Sequence, residues 1–381
     1  MVSATAGLLG CGSFDVLAAQ QPCVDGAAAG TLIATLPLSR DDGVVQPFGV
    51  KFGGSGLDAR QIADLSRLQP DRLITPNRAA FIRTERPVAA ARRPRPWRIA
   101  ATGLLAREEV LTVEDFARVS RPMGAQLLEC SGNNNPANFG LMSVAEWDGV
   151  PLVDVLSRLR PAEQARAVLV AGLDHDGQRS ATSVPGASWI LPLDAVERLG
   201  AFLALRMNGE PLPPDHGLPV RLVVPGCYGC AWIKWVEALR LVGPDEPATG
   251  QMKEFAGRTH QTGRHDLARD YAPPDIQAAA MPVRIEQRRA ADGVHYRVVG
   301  IAWGGDRPPD RLVIRFGAGD EWKAVSICDR RPASRAWTMW EYRWRPVSAG
   351  VYTIALRVPD SSVPQRRLDS GYYARQVTVD V

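Results

Sequence analysis

The sequence predicts two folded units, an α+β domain followed by an all-β sandwich of the immunoglobulin type. The chain of 381 residues is long enough for two to three domains at the usual size of roughly 150 residues each. Up to Val242, short strands and short helices follow each other without the regular alternation of a doubly wound sheet, which favours an α+β arrangement. After residue 280, runs that alternate between apolar and polar residues recur at even spacing, with Gly, Pro or Asp between them.

The composition is that of a soluble globular protein, with 45% hydrophobic and 23% charged residues. The sequence contains no run of about 18 or more apolar residues, so we expect no transmembrane segment. The formal net charge of +4 is small for this length, and the basic residues are spread along the chain. We therefore expect no nucleic-acid partner.

Residues 1–70 are rich in small residues and weakly patterned, and we interpret them as a leader or as a segment that wraps around the folded units. The run LLGCGS places Cys11 after Leu-Leu-Gly, as in the cleavage box of a bacterial lipoprotein, although the basic leader and a twin-arginine pair are missing. Two interpretations of Cys11 stay open, a lipid anchor and an ordinary thiol behind a start codon placed too early. We expect a periplasmic or lipid-anchored bacterial protein, with a cytoplasmic location as the alternative.

Residues 71–245 form the first predicted domain. A strand over 97–101 comes before Thr112, which is a good helix N-cap with Asp115 three residues later. The runs AVLVAG and RLVVP predict buried strands, and LPLDAVERL at 191–199 predicts a short helix. A further helix is predicted by an apolar stripe at helical spacing, formed by Leu152, Val155, Leu156 and Leu159.

The second predicted domain comprises residues 281–381, with the strands VHYRVVGIAW, RLVIRF, RAWTMWEYRW and GVYTIALRV. Residues 246–280 are polar, rich in proline and without a period, so we interpret them as a long linker that also covers part of the first domain. Five of the ten tryptophans lie in the second domain, which is more than one small core usually buries. We expect some of them in an interface with the first domain or with a second subunit.

Cys130 is the residue that we expect to carry the chemistry. An apolar run predicts a strand that ends at this cysteine, and Ser131-Gly132-Asn133 turns the chain there. A thiolate in such a turn can bind a soft metal, and the alternative is a buried structural thiol. The asparagines at 133–135 are poor core material but good partners for a polar ligand. The six cysteines are too sparse for a disulfide scaffold and lack the paired clusters of a structural zinc site.

A second group of residues, His216, Arg221 and Lys234, brackets a buried strand. Such a trio can bind the phosphate and the heteroaromatic ring of a pterin or a nucleotide, although each member can also be an ordinary surface or core residue. Cys227 and Cys230 form a CxxC pair that is not followed by the histidine of a haem attachment motif. Two interpretations of the pair stay open, a reversible disulfide and two thiols without a role.

Three segments resemble the signature segments of the sulfite oxidase family of molybdopterin enzymes. They are TPNRAAFIRTERP, then ECSGN with AEWDGVPLVDVL, and RMNGEPLPPDHGLPVRLVVPGCYGCAWIKW. They occur in the right order over about residues 70–245, and residues 281–381 are similar to the immunoglobulin-like dimerisation domain of that family. The resemblance implies an α+β molybdopterin domain, one molybdenum bound to molybdopterin, and a homodimer.

The resemblance also implies roles for particular residues. Cys130 matches the cysteine that binds the molybdenum, and Arg83 matches an arginine that lines the substrate pocket, so both are predicted to be catalytic. The predicted cofactor contacts are Arg83, Cys130, Asp174, His216, Arg221 and Lys234.

Around the substrate the chain departs from the family pattern. Asn134 and Asn135 stand where the family usually has arginines, and Glu85 stands where a histidine is expected. Phe255 takes the place of a pocket tyrosine. We predict Asn135, Glu85 and Phe255 as substrate-pocket residues. Asparagine in place of arginine removes a positive charge, and Glu85 adds a negative one, so both changes disfavour sulfite as the substrate. A less anionic substrate such as a sulfoxide is therefore an alternative.

We expect a molybdenum-dependent oxidoreductase that transfers an oxygen atom to or from a small sulfur compound, with oxidation of sulfite to sulfate as the leading activity. The alternatives are an S- or N-oxide reductase with the same cofactor and a cofactor-free binding or assembly protein of the same fold. The sequence contains neither a haem motif nor a cytochrome b5 domain, so electrons would pass through a separate protein such as a cytochrome.

Overall fold

The computed structural model describes residue 23 and residues 30–39, 51–93, 95–174, 186–328 and 335–380. The strands of these residues are β1 (Thr31–Leu36), β2 (Lys51–Gly53), β3 (Arg60–Ile62), β4 (Ile82–Arg83), β5 (Arg98–Gly103), β6 (Glu109–Thr112), β7 (Arg121–Glu129), β8 (Met142–Pro151), β9 (Ala167–Gly172), β10 (Ser188–Pro192), β11 (Phe202–Met207), β12 (Glu210–Pro211), β13 (Arg221–Val223), β14 (Val236–Val242), β15 (Ala279–Ala290), β16 (Gly293–Trp303), β17 (Val313–Arg315), β18 (Lys323–Ala324), β19 (Ser326–Ile327), β20 (Trp337–Trp344), β21 (Gly350–Arg357) and β22 (Arg375–Val379). The α-helices are α1 (Val88–Arg92), α2 (Val113–Ala117), α3 (Leu152–Leu159), α4 (Leu193–Leu199), α5 (Gly250–Phe255) and α6 (Arg366–Asp369).

The first unit of the molecule combines three sheets with short helices, and it confirms the predicted α+β class. One sheet has the strand order β10-β9-β14-β5-β6, and a second has the order β12-β11-β8-β7 with β13 also paired to β11. A small third sheet joins β2, β3 and β4. In the first of these sheets β14 and β5 run parallel, whereas the other pairs are antiparallel. This mixture is what short strands and helices without regular alternation predict.

The predicted helices of this unit are confirmed. Thr112 and Asp115 form a capping box, in which the Thr112 hydroxyl accepts from the Asp115 N–H and the Asp115 carboxylate accepts from the Thr112 N–H. Helix α3 buries its four apolar positions and ends where Arg160 adopts a left-handed conformation. Helix α4 ends in the same way at Gly200, which takes this conformation without steric cost.

The second unit is an antiparallel sandwich, and it contains the predicted strands. One sheet has the order β1-β15-β16-β20-β19, and the other has the order β18-β17-β21-β22. The long strands β15, β16 and β20 carry most of its core, including the fully buried side chains of Trp303, Trp337 and Trp340. Side chains on the inner faces of both sheets form one apolar layer, as in other β-sandwiches.

The N-terminal segment contributes an edge strand to this sandwich, which the sequence analysis did not predict. Strand β1 pairs antiparallel with β15, so that Thr31 lies opposite Arg289 and Leu36 lies opposite Ile285. Its side chains are mostly exposed, and so they show no alternation of apolar and polar residues that would indicate a strand. Cys23 also forms a disulfide bond with Cys328, and such long-range pairing cannot be deduced from cysteine spacing.

Hydrogen bonds connect the two units at the strand that leads to Cys130. Glu129 is fully buried, and its carboxylate accepts from Trp303 Nε1 at 2.8 Å and from the Tyr373 hydroxyl at 3.0 Å. Trp337 Nε1 donates to the Leu73 carbonyl at 2.9 Å. The expectation that tryptophans of the sandwich lie in an interface with the first domain is therefore confirmed. Because Glu129 comes directly before Cys130, the sandwich holds the end of β7 in place.

The segment predicted as a linker contains helix α5, which is too short for its period to be recognised in the sequence. Thr249 caps this helix by accepting from the Met252 N–H. The prediction of Cys11 as a lipidation site concerns a residue outside the described ranges. None of the helices that the structure describes is long and apolar enough to cross a membrane.

Candidate active site

Cys130 lies directly after β7 in a turn that its neighbours hold rigidly. Its N–H donates to the Leu141 carbonyl at 2.9 Å, and its carbonyl accepts from the Asn133 N–H at 2.9 Å. The Asn133 side chain accepts from the Leu141 N–H at 3.0 Å and donates to Glu129 at 3.2 Å. Cys130 is 9% exposed and has no disulfide partner. The fold thus presents one fixed thiol at the end of a strand, as the sequence predicted.

This thiol opens into a cavity that brings together most of the predicted site residues. The cavity encloses about 840 Å³ of empty space, a size that suits a cofactor. Its lining includes seven of the predicted residues, which are Arg83, Cys130, Asp174, His216, Arg221, Lys234 and Phe255. Residues that are more than a hundred positions apart in the sequence therefore meet at one place, on the ends of β4, β7, β9 and β13 and on the loops that follow them.

Two cations line this cavity, the buried Arg221 and the half-buried Lys234, and no carboxylate of the described residues lies within ion-pair distance of either. Arg221 is 3% exposed, its Nη1 donates to the His216 carbonyl at 3.0 Å, and its Nε has no hydrogen-bond partner in the described structure. Its guanidinium lies near the rings of Trp147 and Trp232, at 5.3 and 5.6 Å from their centres. Lys234 Nζ donates to three backbone carbonyls, those of Arg83, Thr84 and Asp215, at 3.0, 2.6 and 2.9 Å. Both cations are thus held in place by neutral groups.

Burial changes the protonation equilibria of these groups. Burial lowers the pKa of Arg221 to about 9. It also lowers the pKa of Lys234 well below its usual value, and the charge of Arg221 adds to this effect. Burial, followed by the charges of Arg221 and Lys234, lowers the pKa of His216 to about 3, so that its imidazole is neutral near pH 7. His216 can therefore donate and accept hydrogen bonds without adding a charge.

Three arginines surround Cys130, and the sequence analysis predicted only one of them. Arg83 and Arg60 lie directly opposite each other on the paired strands β3 and β4. Arg258 also lies near the thiol, because both border Gly132. A Cβ atom placed on Gly132 would be 3.3 Å from Arg258 Nη1 and 3.8 Å from Cys130 Sγ. The carboxylate of Asp58 lies 4.0 Å from Arg60 Nη2 and offsets part of this positive charge. Basic side chains grouped in this way attract anions.

The pKa values of two of these arginines reflect their closeness to the thiol. Burial lowers the pKa of Arg83 to about 10, and the charge of Arg60 adds to the effect. Burial also lowers the pKa of Arg60. A negative charge on Cys130 acts in the opposite direction on both arginines. No local signal in the sequence identifies Arg60 or Arg258, because Arg60 lies in the weakly patterned N-terminal segment and Arg258 in the segment interpreted as a linker.

Asn135 and Glu85, which were predicted as substrate-pocket residues, are not among the residues that line this cavity. Thr84 has a positive φ of 75° and breaks the strand after Arg83, so Glu85 instead accepts a hydrogen bond from the Gly56 N–H at 3.0 Å. Asn135 begins a short helical turn, and its side-chain oxygen accepts from Arg375 Nη1 at 2.5 Å. The anion and the amide that disfavoured an anionic substrate therefore lie elsewhere.

The CxxC pair is divided between the cavity wall and the core. Cys230 lines the cavity, whereas Cys227 contacts Asp275 at 3.7 Å, and both thiols are free. Burial raises the pKa of Cys230 to about 12, and burial followed by the charge of Asp275 raises the pKa of Cys227. Protonated buried thiols are poor nucleophiles and poor metal ligands. This geometry favours the interpretation of two thiols without a redox role.

The described residues contain no group of three or more His, Cys, Asp or Glu side chains that could hold a metal ion by themselves. A metal bound to Cys130 would therefore need further ligands from a cofactor. The buried donors without a partner at this cavity, Arg221 Nε and Ser131 Oγ, fit a polar group of that kind.

The profile of the family described as an oxidoreductase molybdopterin binding domain matches residues 85–249. The sulfite oxidase of Gallus gallus is 31% identical over 325 residues, which cover 78% of this chain and 69% of that protein. The mitochondrial sulfite oxidase of Homo sapiens is 28% identical over 336 residues, which cover 82% of this chain and 59% of that protein. The chain thus spans about 60 to 70% of the length of these relatives.

Two further similarities extend this comparison. The NADPH nitrate reductase of Aspergillus niger is 29% identical over 260 residues, which cover 61% of this chain and 29% of that protein. The sulfane dehydrogenase SoxCD from Paracoccus pantotrophus has a crystal structure that superposes with a TM-score of 0.63 at 19% identity, over 93% of this chain and 86% of that chain. At this identity the superposition shows a shared fold.

Proposed function

Since this chain belongs to the sulfite oxidase family of molybdopterin-dependent oxidoreductases, and so is an enzyme with a molybdenum–molybdopterin cofactor, we propose that it oxidises a small sulfur oxyanion, with sulfite as the first candidate. The observation that carries this proposal is the group of three arginines around Cys130, Arg60, Arg83 and Arg258. In the net reaction, sulfite and water give sulfate, two protons and two electrons.

The residues of the cavity fit the cofactor. Cys130 lies at the end of β7 in the cavity wall and is assigned to the metal, and the Nε of Arg221 supplies a buried donor for the pterin or its phosphate. Lys234 supplies positive charge, and His216 supplies a neutral imidazole. Asp174 accepts a hydrogen bond from the Ala187 N–H at the cavity wall and is assigned to the pterin as well. When bound, the cofactor supplies the oxygen-atom transfer and accepts the two electrons.

The protein's own contribution to the reaction is to bind and orient an anion. Arg60 and Arg83 both donate to the Leu57 carbonyl, at 3.0 and 2.7 Å, which fixes their guanidinium groups side by side. Arg258 is exposed, and its guanidinium lies 5.3 Å from the centre of the Phe255 ring at the cavity wall, where its charge attracts an anion from solvent. Arginines in fixed positions bind oxyanions through pairs of N–H groups, so they hold the substrate's oxygen atoms and leave its sulfur free to react.

This arrangement favours an oxyanion over a neutral S- or N-oxide. An oxyanion offers several charged oxygens to the N–H groups of Arg60 and Arg83, whereas a neutral oxide offers one polarised oxygen. Glu85 is not among the residues that line the cavity, and its carboxylate accepts a hydrogen bond from the Gly56 N–H. We therefore place the oxide reductase second.

The partners that we propose are a separate electron-transfer protein, such as a cytochrome, and a second copy of this chain bound through the sandwich. The basis for the first is the lack of a haem attachment motif in this sequence, since Ala231 follows the CxxC pair. We also propose export to the periplasm, because the disulfide between Cys23 and Cys328 is typical of oxidising compartments.

The deciding experiment uses protein that contains about one molybdenum per chain. We expect sulfite-dependent reduction of ferricyanide and no sulfoxide-dependent oxidation of a reduced dye. The variant Arg258→Gln should raise KM for sulfite roughly tenfold at unchanged molybdenum content, whereas the exposed Arg264→Gln in the same segment should not change it. Full molybdenum loading without sulfite oxidation would refute the substrate, and an unchanged KM in Arg258→Gln would refute the role of the entrance arginine.

A further inference from the structure

A second cavity lies at the far end of the turn that begins at Cys130. It encloses about 770 Å³ of empty space, and its wall includes Asn135, Phe139, Tyr372 and Arg375. In the described part of the chain, none of its lining residues also lines the cavity around Cys130. It is therefore a separate site, formed where the first unit meets the sandwich.

The charge in this second cavity comes from Arg375, the first residue of β22. Arg375 is 2% exposed, and no carboxylate of the described residues lies within ion-pair distance of it. Its Nη1 donates to the Asn135 side chain, its Nη2 donates to the Asn138 side chain at 3.0 Å, and its guanidinium lies 4.4 Å from the centre of the Phe139 ring. All of these partners are neutral. A cation that is buried among neutral groups is costly unless an anion compensates it.

Two buried donors at this cavity lack hydrogen-bond partners. They are Arg375 Nε and Asn135 Nδ2, and Asn135 is only 5% exposed. Buried donors in native structures nearly always have a partner, so two such donors at one cavity indicate a bound group that accepts hydrogen bonds. Because one of the donors belongs to a cation, the group that fits best is an anion.

We propose that this second cavity binds a small oxyanion, an inorganic oxyanion or a short carboxylate, through Arg375 Nε and Asn135 Nδ2. Both cavities receive residues from the same turn, Cys130 and Ser131 in one case and Asn134 and Asn135 in the other. The Tyr372 hydroxyl, from the wall of the second cavity, donates to the Asn133 carbonyl at 2.6 Å. An anion in the second cavity therefore stabilises the turn that carries the metal ligand.

The proposal is tested by thermal unfolding of the holoenzyme in sodium sulfate and in sodium chloride at equal ionic strength. Exclusion of sulfate from the protein surface raises the midpoint temperature of unfolding steadily with sulfate concentration. A bound sulfate ion adds a rise that levels off once the site is filled, here on the order of 2 °C. We expect this saturable rise in wild type and in Arg258→Gln, in which the second cavity is unchanged. In Asn135→Asp, a carboxylate of the chain compensates Arg375, so the part of the saturable rise that Arg258→Gln retains should disappear.

Crystals of the wild-type protein soaked in selenate give an independent measurement that no variant can disturb. An anomalous peak is expected within hydrogen-bond distance, about 3 Å, of Arg375 Nε and Asn135 Nδ2. A cavity that holds only water in these crystals would overturn the proposal. A saturable sulfate effect that persists unchanged in Asn135→Asp, or that is lost in Arg258→Gln, would also overturn it, because the ion would then be bound in the cavity around Cys130.

Discussion

The sandwich and the cofactor cavity both bury charged side chains, but they compensate these charges in different ways. In the sandwich, Glu286 accepts from Arg284 Nε at 2.8 Å and from Arg288 Nη1 at 2.7 Å, and Arg297 lies 3.4 Å from the same carboxylate. Arg297 also pairs with Glu341. In the cavity, Arg221 and Lys234 donate only to backbone carbonyls, as described above. The first network joins arginines and carboxylates directly, whereas the carboxylates that act on Lys234, those of Asp174 and Asp215, form no ion pair with it in the described structure.

This difference separates structural charge from functional charge by a physical criterion. A buried ion pair whose members satisfy each other contributes to a fixed geometry and needs no further partner. A buried cation that is held by neutral groups lowers the free energy of unfolding, because the cation has lost its hydration. An anion that binds beside it restores this stability, and the cost of burying the cation does not weaken its binding. By the same criterion Arg375, although it lies in the sandwich, resembles the cations of the cavity.

The largest expected effect tests the assignment of the cavity to a metal cofactor. In Cys130→Ser we expect molybdenum to fall from about one per chain to near zero and activity to fall by roughly a thousandfold or more, because a hydroxyl is a poor ligand for a soft metal. Metal analysis and a steady-state assay measure both. The matched control is Cys227→Ser, which alters a buried thiol outside the cavity and should keep its metal. A fully loaded Cys130→Ser protein would contradict the assignment.

The next effect tests the sandwich. Glu286→Gln leaves the buried Arg284, Arg288 and Arg297 without their shared carboxylate, and we expect the free energy of unfolding to fall by about 3 to 5 kcal/mol. Denaturant unfolding of the metal-free protein measures the change. The control is Glu163→Gln, an exposed carboxylate for which the structure shows no ion pair among the described residues. A loss below about 1 kcal/mol would mean that the network is not a structural unit.

An effect of similar size comes from His216 and depends on pH. The pKa of His216 is 6.5 in the unfolded chain and is lowered to about 3 in the folded protein. At pH values between these two, the unfolded chain binds one proton more than the folded protein. Stability is therefore complete above about pH 6.5 and is lost as the pH falls through this window, by on the order of 3 kcal/mol. Unfolding of the metal-free protein between pH 7 and pH 4 should show this loss. His216→Gln should reduce it, and His265→Gln should not.

The outcome of the sequence predictions depended on how locally each feature was encoded. Cys130 and the strand before it, the Thr112 cap and the α3 stripe were all recognisable, because contiguous residues specify them. Arg60 and Arg258 were not, since a strand pairing with Arg83 and a turn at Gly132 bring them to the thiol. A long-range pairing of this kind leaves no pattern in a single sequence.

The two misplaced residues show a second limit of the sequence. The resemblance predicts Glu85 as a pocket residue in place of a histidine, and the positive φ at Thr84 ends the extended chain between Arg83 and Glu85. Similarly, Asn138 adopts a left-handed conformation that closes the turn, and Asn135 within the turn faces Arg375 instead of the thiol. Asn adopts this conformation readily, but a sequence does not reveal which asparagine in a run does so. The backbone conformation of single residues therefore decided which side chains reach the site.

The smallest expected effect compares the two regions most directly. Replacing an arginine by methionine should raise the free energy of unfolding in the cavity and lower it in the sandwich. Arg221→Met in the metal-free protein removes a buried cation that has no carboxylate partner and keeps an apolar side chain between Trp147 and Trp232. We expect the free energy of unfolding to rise by about 1 kcal/mol, while cofactor binding is lost. Arg288→Met in the sandwich should instead lower it by a few kcal/mol, since Glu286 would lose a partner.

Denaturant unfolding of both variants, each prepared without molybdenum, measures the pair under the same conditions. If Arg221→Met lowers stability as much as Arg288→Met does, the carbonyl groups around Arg221 already compensate its charge. The cavity would then hold no positive charge in reserve for an anionic cofactor. We expect Arg221→Met to be more stable than wild type and to bind no metal, and Arg288→Met to be less stable and still to bind metal. This outcome would mean that the cations of the cavity serve the ligand, whereas those of the sandwich serve the fold.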